Sequence, residues 1–213
     1  ESNLVRRKAL DNGMGGAIFA LNYHTDHLSA TLGGGYYHYR NDHYGNVVWV
    51  QNYLGALDPS HRYYSNVGTK DDGNIYLRAD WTPVESLTLY ADMQYRMVDY
   101  TIEGENDKYD WSKMAPQRLD VDSRYNFFNP KVGLSWQPNK EHRLYLSFAS
   151  AGKEPTRNNW TDAKSDRAPK PERLNDWEAG WNWSAEGATF GINLYDMEYR
   201  DQLVLTGEVN EIG

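Results

Sequence analysis

Cysteine is missing from all 213 residues. That removes a disulfide framework and any thiolate metal site. No apolar run reaches the roughly 18–20 residues that a membrane-crossing helix needs, and the opening residues do not read as a signal peptide. Cations are scarce beside acids, with 22 Lys and Arg against 30 Asp and Glu. A nucleic-acid partner is excluded on that balance, because phosphate binding needs clustered positive charge. The one basic cluster, Arg6-Arg7-Lys8, reads as a solvated loop. No nucleophile elbow, phosphate loop or zinc spacing occurs, so no catalytic set assembles. A mean hydropathy of −0.83 is low for a membrane protein. An average cannot see alternation, however, so a membrane-spanning β-barrel stays open.

Aromatic side chains are what the chain has in plenty, 14% of residues with eight Trp and seventeen Tyr. They follow a period of two. Over 86–100, SLTLYADMQYRMVDY sets Leu87, Leu89, Ala91, Met93, Tyr95 and Met97 against Thr88, Tyr90, Asp92, Gln94 and Arg96. Successive side chains of a strand point to opposite faces, so one face is apolar and the other charged. At helical period Asp92 and Arg96 would scatter among the apolar residues. About eleven residues at roughly 3.3 Å each, tilted by about 40°, cross a hydrocarbon layer.

Seven more segments alternate in the same way, at 15–23, 28–39, 74–82, 131–137, 143–148, 174–183 and 189–195. Short turns near 24, 83, 138 and 184 separate them in pairs. Long connections are expected at 40–73, 103–129 and 152–173, and the chain is expected to begin and end inside outer loops, at 1–12 and near 207–213. Short turns on one side and long loops on the other are the habit of outer-membrane barrels. Tyr23, Trp81, Trp136 and Trp183 each close a descending strand on its apolar face. Large amphipathic aromatics at one level form a membrane-interface girdle. The predicted fold is all-β: about eight strands of an antiparallel, up-and-down transmembrane β-barrel, one partial barrel domain over 1–213. Missing closing strands and many bulky polar groups on the inward face suggest an arc of a larger barrel.

The stretches LYLSFASAGKEPTRNNW (144–160), PKPERLNDWEAGW (169–181) and NLYDMEYRDQLV (193–204) resemble the barrel of bacterial TonB-dependent outer-membrane receptors. VRRKALDNGMGGAIFALNY (5–23) is similar to barrel segments of the Bacteroidetes type. The resemblance implies a 22-stranded barrel around an N-terminal plug, located in the outer membrane of a bacterial cell. It also implies uptake of a scarce nutrient (siderophore-bound iron, haem, vitamin or glycan) with energy from the TonB complex acting through the plug. This chain would be a segment of the later half of the barrel, with outer-membrane lipid as its other partner.

Candidate ligand contacts are outer-loop aromatics with no strand to support: Trp49, Tyr53, Tyr63, Tyr64, Tyr109, Trp111 and Trp160, near Arg62, Arg157 and Asn158. Such groups suit a flat or ring-bearing small molecule. His38 and His43 could hold a metal or haem, and Glu103, Glu105, Asp107 and Asp110 could gather calcium, but their spacings favour ordinary loop residues, and no cofactor is expected. Asp176 and Glu178 fit an inward ion network with Arg143 or Arg96 better than acid–base catalysis. Asp80, Asp92, Arg78 and Arg96 would make a ladder inside the barrel. The alternative reading is a soluble or small-barrel protein that binds carbohydrate or a surface through its aromatic loops. An outer-membrane hydrolase is the weakest reading, and the chain is not expected to be an enzyme.

Overall fold

A computed structural model describes residues 2–163, 168–202 and 204. Eight strands follow one another in a single antiparallel sheet: β1 Leu4–His24, β2 Leu28–Val50, β3 Arg62–Val84, β4 Leu87–Asp110, β5 Ala115–Trp136, β6 His142–Lys153, β7 Glu172–Ala185 and β8 Ala188–Arg200. Among the described residues each strand pairs only with its sequence neighbours, and the sheet does not close. One short helix, α1 Arg157–Asp162, interrupts the link from β6 to β7.

Alternation sorts the side chains as the sequence suggests. On one face lie Leu77 and Trp81 of β3, Leu89 and Met93 of β4, Val132 and Leu134 of β5, Leu144 and Leu146 of β6, and Ile192 and Leu194 of β8. Trp81 and Leu146 are 49% and 46% exposed, so this apolar face packs against nothing within the sheet. A water-soluble core would have sealed them. The opposite, concave face carries Arg78, Asp92, Tyr90, Arg143, Tyr145 and Glu178.

The register gives the wall its tilt. Tyr23 lies in a row with Ala30 and Ala79, and Trp81 stands two residues further along β3. Trp81 shares a row with Leu89 and Leu134, and Trp136 stands two beyond. Trp136 shares a row with Leu144 and Trp181, and Trp183 stands two beyond again. Each hairpin therefore advances by two residues. With roughly 3.3 Å per residue and about 4.8 Å between strands, that stagger is a tilt of about 35°. At that tilt the four aromatics stand at one height.

The concave face is crowded yet well seated, because tyrosines lie over glycines of the adjacent strand. Tyr76 pairs with Gly33, Tyr90 with Gly133 and Tyr145 with Gly180. A Cβ at any of these glycines would fall inside the facing ring. The bulky inward groups thus need small partners across the ladder.

Two expectations are corrected. The segments 40–73 and 103–129 are mostly strand, leaving connections of only 51–61 and 111–114, and β1 already runs from Leu4. The apolar stripe spans about nine residues of β3 and of β4, which at the derived tilt is roughly 24 Å. The ladders simply continue past it, because their inward residues find packing and hydrogen-bond partners beyond the bilayer. The third connection, between β6 and β7, is long as expected. The expected final loop near 207–213 lies outside the described residues.

Candidate functional site

Beyond the apolar stripe the concave side of β3, β4 and β5 continues as a wall. Val98, Ile102, Leu119, Val121 and Phe127 are buried along it. They are covered because the segment after β6 folds back into the concavity. Thr156 caps α1: its hydroxyl accepts from the Asn159 N–H, and its own N–H donates to Asn159 Oδ1 at 2.8 Å. Trp160, three residues after Arg157, packs on the cluster of Ile102, Leu119 and Val121. This indole contributes to the packing that seats the helix.

Ions fix the start of the segment. Arg96 donates to both oxygens of Asp72, at 3.0 and 2.6 Å, and to both oxygens of Glu154, at 2.9 and 3.0 Å. Lys70 adds a further bond to Glu154. Bidentate guanidinium–carboxylate pairs are the strongest of their kind and fix orientation as well. Burial alone would raise the Glu154 carboxyl, but the bonds from Arg96 and Lys70 outweigh it and hold it at about 2. At the far end of α1, Gln117 donates to the Thr161 carbonyl at 2.9 Å, and Lys108 pairs with Asp162.

Between these anchors lies a polar cavity of about 350 Å³. Lys8, His43, Tyr64, Asn106, Arg157 and Asn158 contribute to its lining. His43 and Asn66 face each other across β2 and β3. Asn66 Nδ2 donates to the Glu105 carbonyl at 2.8 Å, which turns its Oδ1 toward Arg157 Nη2 at 2.7 Å. Lys8 is bonded to Asp107, and that bond, against a smaller opposing effect of burial, raises its ammonium above the ordinary range. Burial lowers the basicity of Arg157, and burial with the nearby Arg157 charge lowers that of His43. Desolvation also raises the Tyr64 and Tyr100 hydroxyls. Three cations, Lys8, Lys108 and Arg157, and two carboxylates, Asp107 and Asp162, line the cavity, which leaves it with one positive charge in excess. Among the described residues no group of three or more His, Cys, Asp or Glu could hold a metal.

Of the aromatics and cations expected to meet a ligand, Tyr64 and Arg157 share this cavity, while Trp160 lies beneath it. Tyr63 sits edge-on to Tyr64, with ring centres 5.0 Å apart. Trp49 is near the end of β2, half exposed, and Tyr53 lies in the 51–61 connection. Trp111 tops the β4–β5 hairpin, with its ring edge-on to Tyr109 at 4.7 Å. Arg62 stacks over Tyr44, 3.7 Å from the ring centre. Trp49, Tyr63, Tyr64 and Tyr109 therefore stand on strand extensions rather than on free loops. His38 and His43 point to opposite faces of β2, since their positions differ by an odd number, so they cannot share an ion. Arg96 is engaged by Asp72 and Glu154, and Arg143 donates to Ser135 Oγ at 2.9 Å, so the network expected around Asp176 and Glu178 is replaced by these bonds. Of the expected inward ladder, Arg78 faces Asp92 across the strands and pairs with Asp80 at 3.4 Å. Asn66, Asn106, Lys70, Asp72 and Glu154 carry no motif that singles them out in the sequence. Carrying the alternation of β3 and β4 beyond residues 74 and 100 would have placed the first four on the concave side.

Residues 5–213 match the family model "TonB dependent receptor-like, beta-barrel". The chain belongs to that family. The receptor wall also superposes on solved structures, at identities that bear on fold alone. The copper transporter OprC matches with a TM-score of 0.65 at 11% identity, over 89% of this chain and 30% of that one. The ferric citrate transporter FecA gives 0.62 at 11%, over 98% and 30%. The siderophore receptor PiuA from Acinetobacter baumannii gives 0.58 at 11%, over 88% and 32%. No curated protein matches the sequence at a significant level. The chain thus spans about a third of the length of these receptors. It is a stretch of outer-membrane barrel wall, whose apolar face meets lipid and whose short turns face the periplasm.

Proposed function

We propose that this stretch is the ligand-facing part of a receptor that imports a scarce small-molecule nutrient across the outer membrane, with energy delivered by TonB. The observation that carries the reading is the inward-folded segment 154–162. It is tied to the wall by Arg96 and Lys70 and builds a cavity on the concave side above the apolar stripe. A wall that only sealed a pore would not need such a cavity at its outer end. The cargoes named for similar folds (ferric citrate, a siderophore, copper) suggest a metal or its chelate as the first class to try.

The test is growth of a strain lacking the parent receptor on limiting amounts of ferric siderophores, haem, cobalamin or glycans. Loss of growth on one of them, restored by the wild-type gene, is expected. Full growth on every one of these nutrients would sink the proposal. Alanine at both Trp49 and Trp111 should raise the nutrient concentration needed for half-maximal growth at least several-fold if these exposed rings meet the ligand. Unchanged uptake would retire them.

A further inference from the structure

Among the described residues no carboxylate forms an ion pair with Arg157, and Asp107, which acts on it, is bonded to Lys8. Arg157 Nη2 donates to the neutral Asn66, while Nη1 is buried and has no hydrogen-bond partner among the described residues. The other cations beside it are matched, Lys8 by Asp107 and Lys108 by Asp162. The neighbours that feel its field most are the Tyr100 and Tyr64 hydroxyls, then the Asp107 carboxylate, which is already bonded to Lys8, and then the Tyr39 hydroxyl. A half-buried guanidinium that must share its nearest carboxylate with a lysine is costly, and a buried donor with no acceptor adds to the cost. Native proteins seldom leave either unmet, and such groups mark places where a partner arrives.

The position of the charge narrows the partner. Asn66, on which Arg157 rests, lies seven residues beyond Gly73 at the margin of the apolar stripe, which at the derived tilt is roughly 20 Å above it. Lipid headgroups are out of reach from the concave side at that height. The cavity of about 350 Å³ is at the small end of the range for small-molecule sites. Asn106 and Asn158 stand on its lining beside Arg157, and they offer amide donors and acceptors to whatever accompanies the charge.

We infer that the Arg157 cavity receives an oxyanion, a carboxylate or phosphate group carried by a small molecule. This deepens the uptake reading and rests on it for the direction of travel, but binding itself can be measured without transport. A planar guanidinium suits a two-oxygen acceptor, and here Nη1 has no partner among the described residues while Nη2 is already held in place by Asn66.

The test is calorimetric titration of the full-length receptor in detergent with citrate and, separately, with inorganic phosphate. At least one should bind, and Arg157→Gln should weaken it at least tenfold while Arg157→Lys keeps part of the affinity. Heat-modifiable migration on gels checks that both variants remain folded. Binding of citrate but not phosphate points to the acid group of a cargo, and the reverse points to phosphate or a phosphate ester. Binding of neither anion, or equal binding by Arg157→Gln, overturns the inference. Anion binding that depends on Arg157 in a receptor that supports no nutrient uptake would leave this site standing and sink the uptake reading alone.

Discussion

At the scale of single residues, Glu154 decides whether the inward segment stays in place. A carboxyl held at about 2, against 4.5 ordinarily, corresponds to stabilisation on the order of 3 kcal/mol. Because the folded value is the lower one, that stabilisation is fully present above pH 4.5 and fades as pH falls through 2. Amide-exchange protection of 154–162, corrected for intrinsic rates, is therefore expected to be flat between pH 8 and 5. Glu154→Gln should raise exchange about a hundredfold in the same amides. Protection left intact in that variant would mean that Trp160 and Gln117 hold the segment without the ion pairs. Neither Glu154 nor its partners could be matched from the sequence. Arg96 and Glu154 are 58 positions apart, and only the fold brings a residue after β6 onto the face of β4. Arg157, by contrast, is legible in the sequence as a cation among loop aromatics, although His43, which lines its cavity, and Asn66, which holds it, come from strands whose sequence reads as ordinary loop.

At the scale of elements, strand identity was plain where one face meets lipid, since lipid demands unbroken alternation. It was obscure where the same strands rise into water. There the outward side chains turn polar, as with Asp99 and Arg124 in β4 and β5, and period two vanishes from the hydropathy. What holds these extensions is the continuing ladder, the buried row from Val98 to Val121 and side-chain pairs such as Asn106 with Gln117 at 2.7 Å. The hairpin ends can be told apart in living cells, because this stretch holds no native thiol to confuse a label. A membrane-impermeant maleimide should react with Ser112→Cys in intact bacteria. It should reach Asn139→Cys only after the envelope is opened. Labelling of both in intact cells would contradict the assignment of short turns to the periplasm.

At the scale of the whole molecule, the two faces should tolerate charge very differently. Leu146→Arg places a cation against the acyl chains and is expected to cost about 2–4 kcal/mol if it lies near the bilayer midplane. Ser147→Arg, one residue on, points into the lumen and should cost far less. Folded receptor at the cell surface, scored by heat-modifiable migration, should drop for the first and hold for the second. Equal loss would mean that the apolar side does not meet lipid. That contrast was readable in the sequence, because a wall between oil and water writes its two sides into odd and even positions.

The stagger of two residues per hairpin has an evolutionary corollary. A single inserted or deleted residue in the wall would turn every later side chain of that strand inside out and spoil the slope its neighbours share. Changes of length are thus confined to the tips and to the in-folded helix, where no such parity rules. Selection can remodel what the mouth grips, even by transplanting the segment around Arg157 between receptors, while the staves of the cask go untouched.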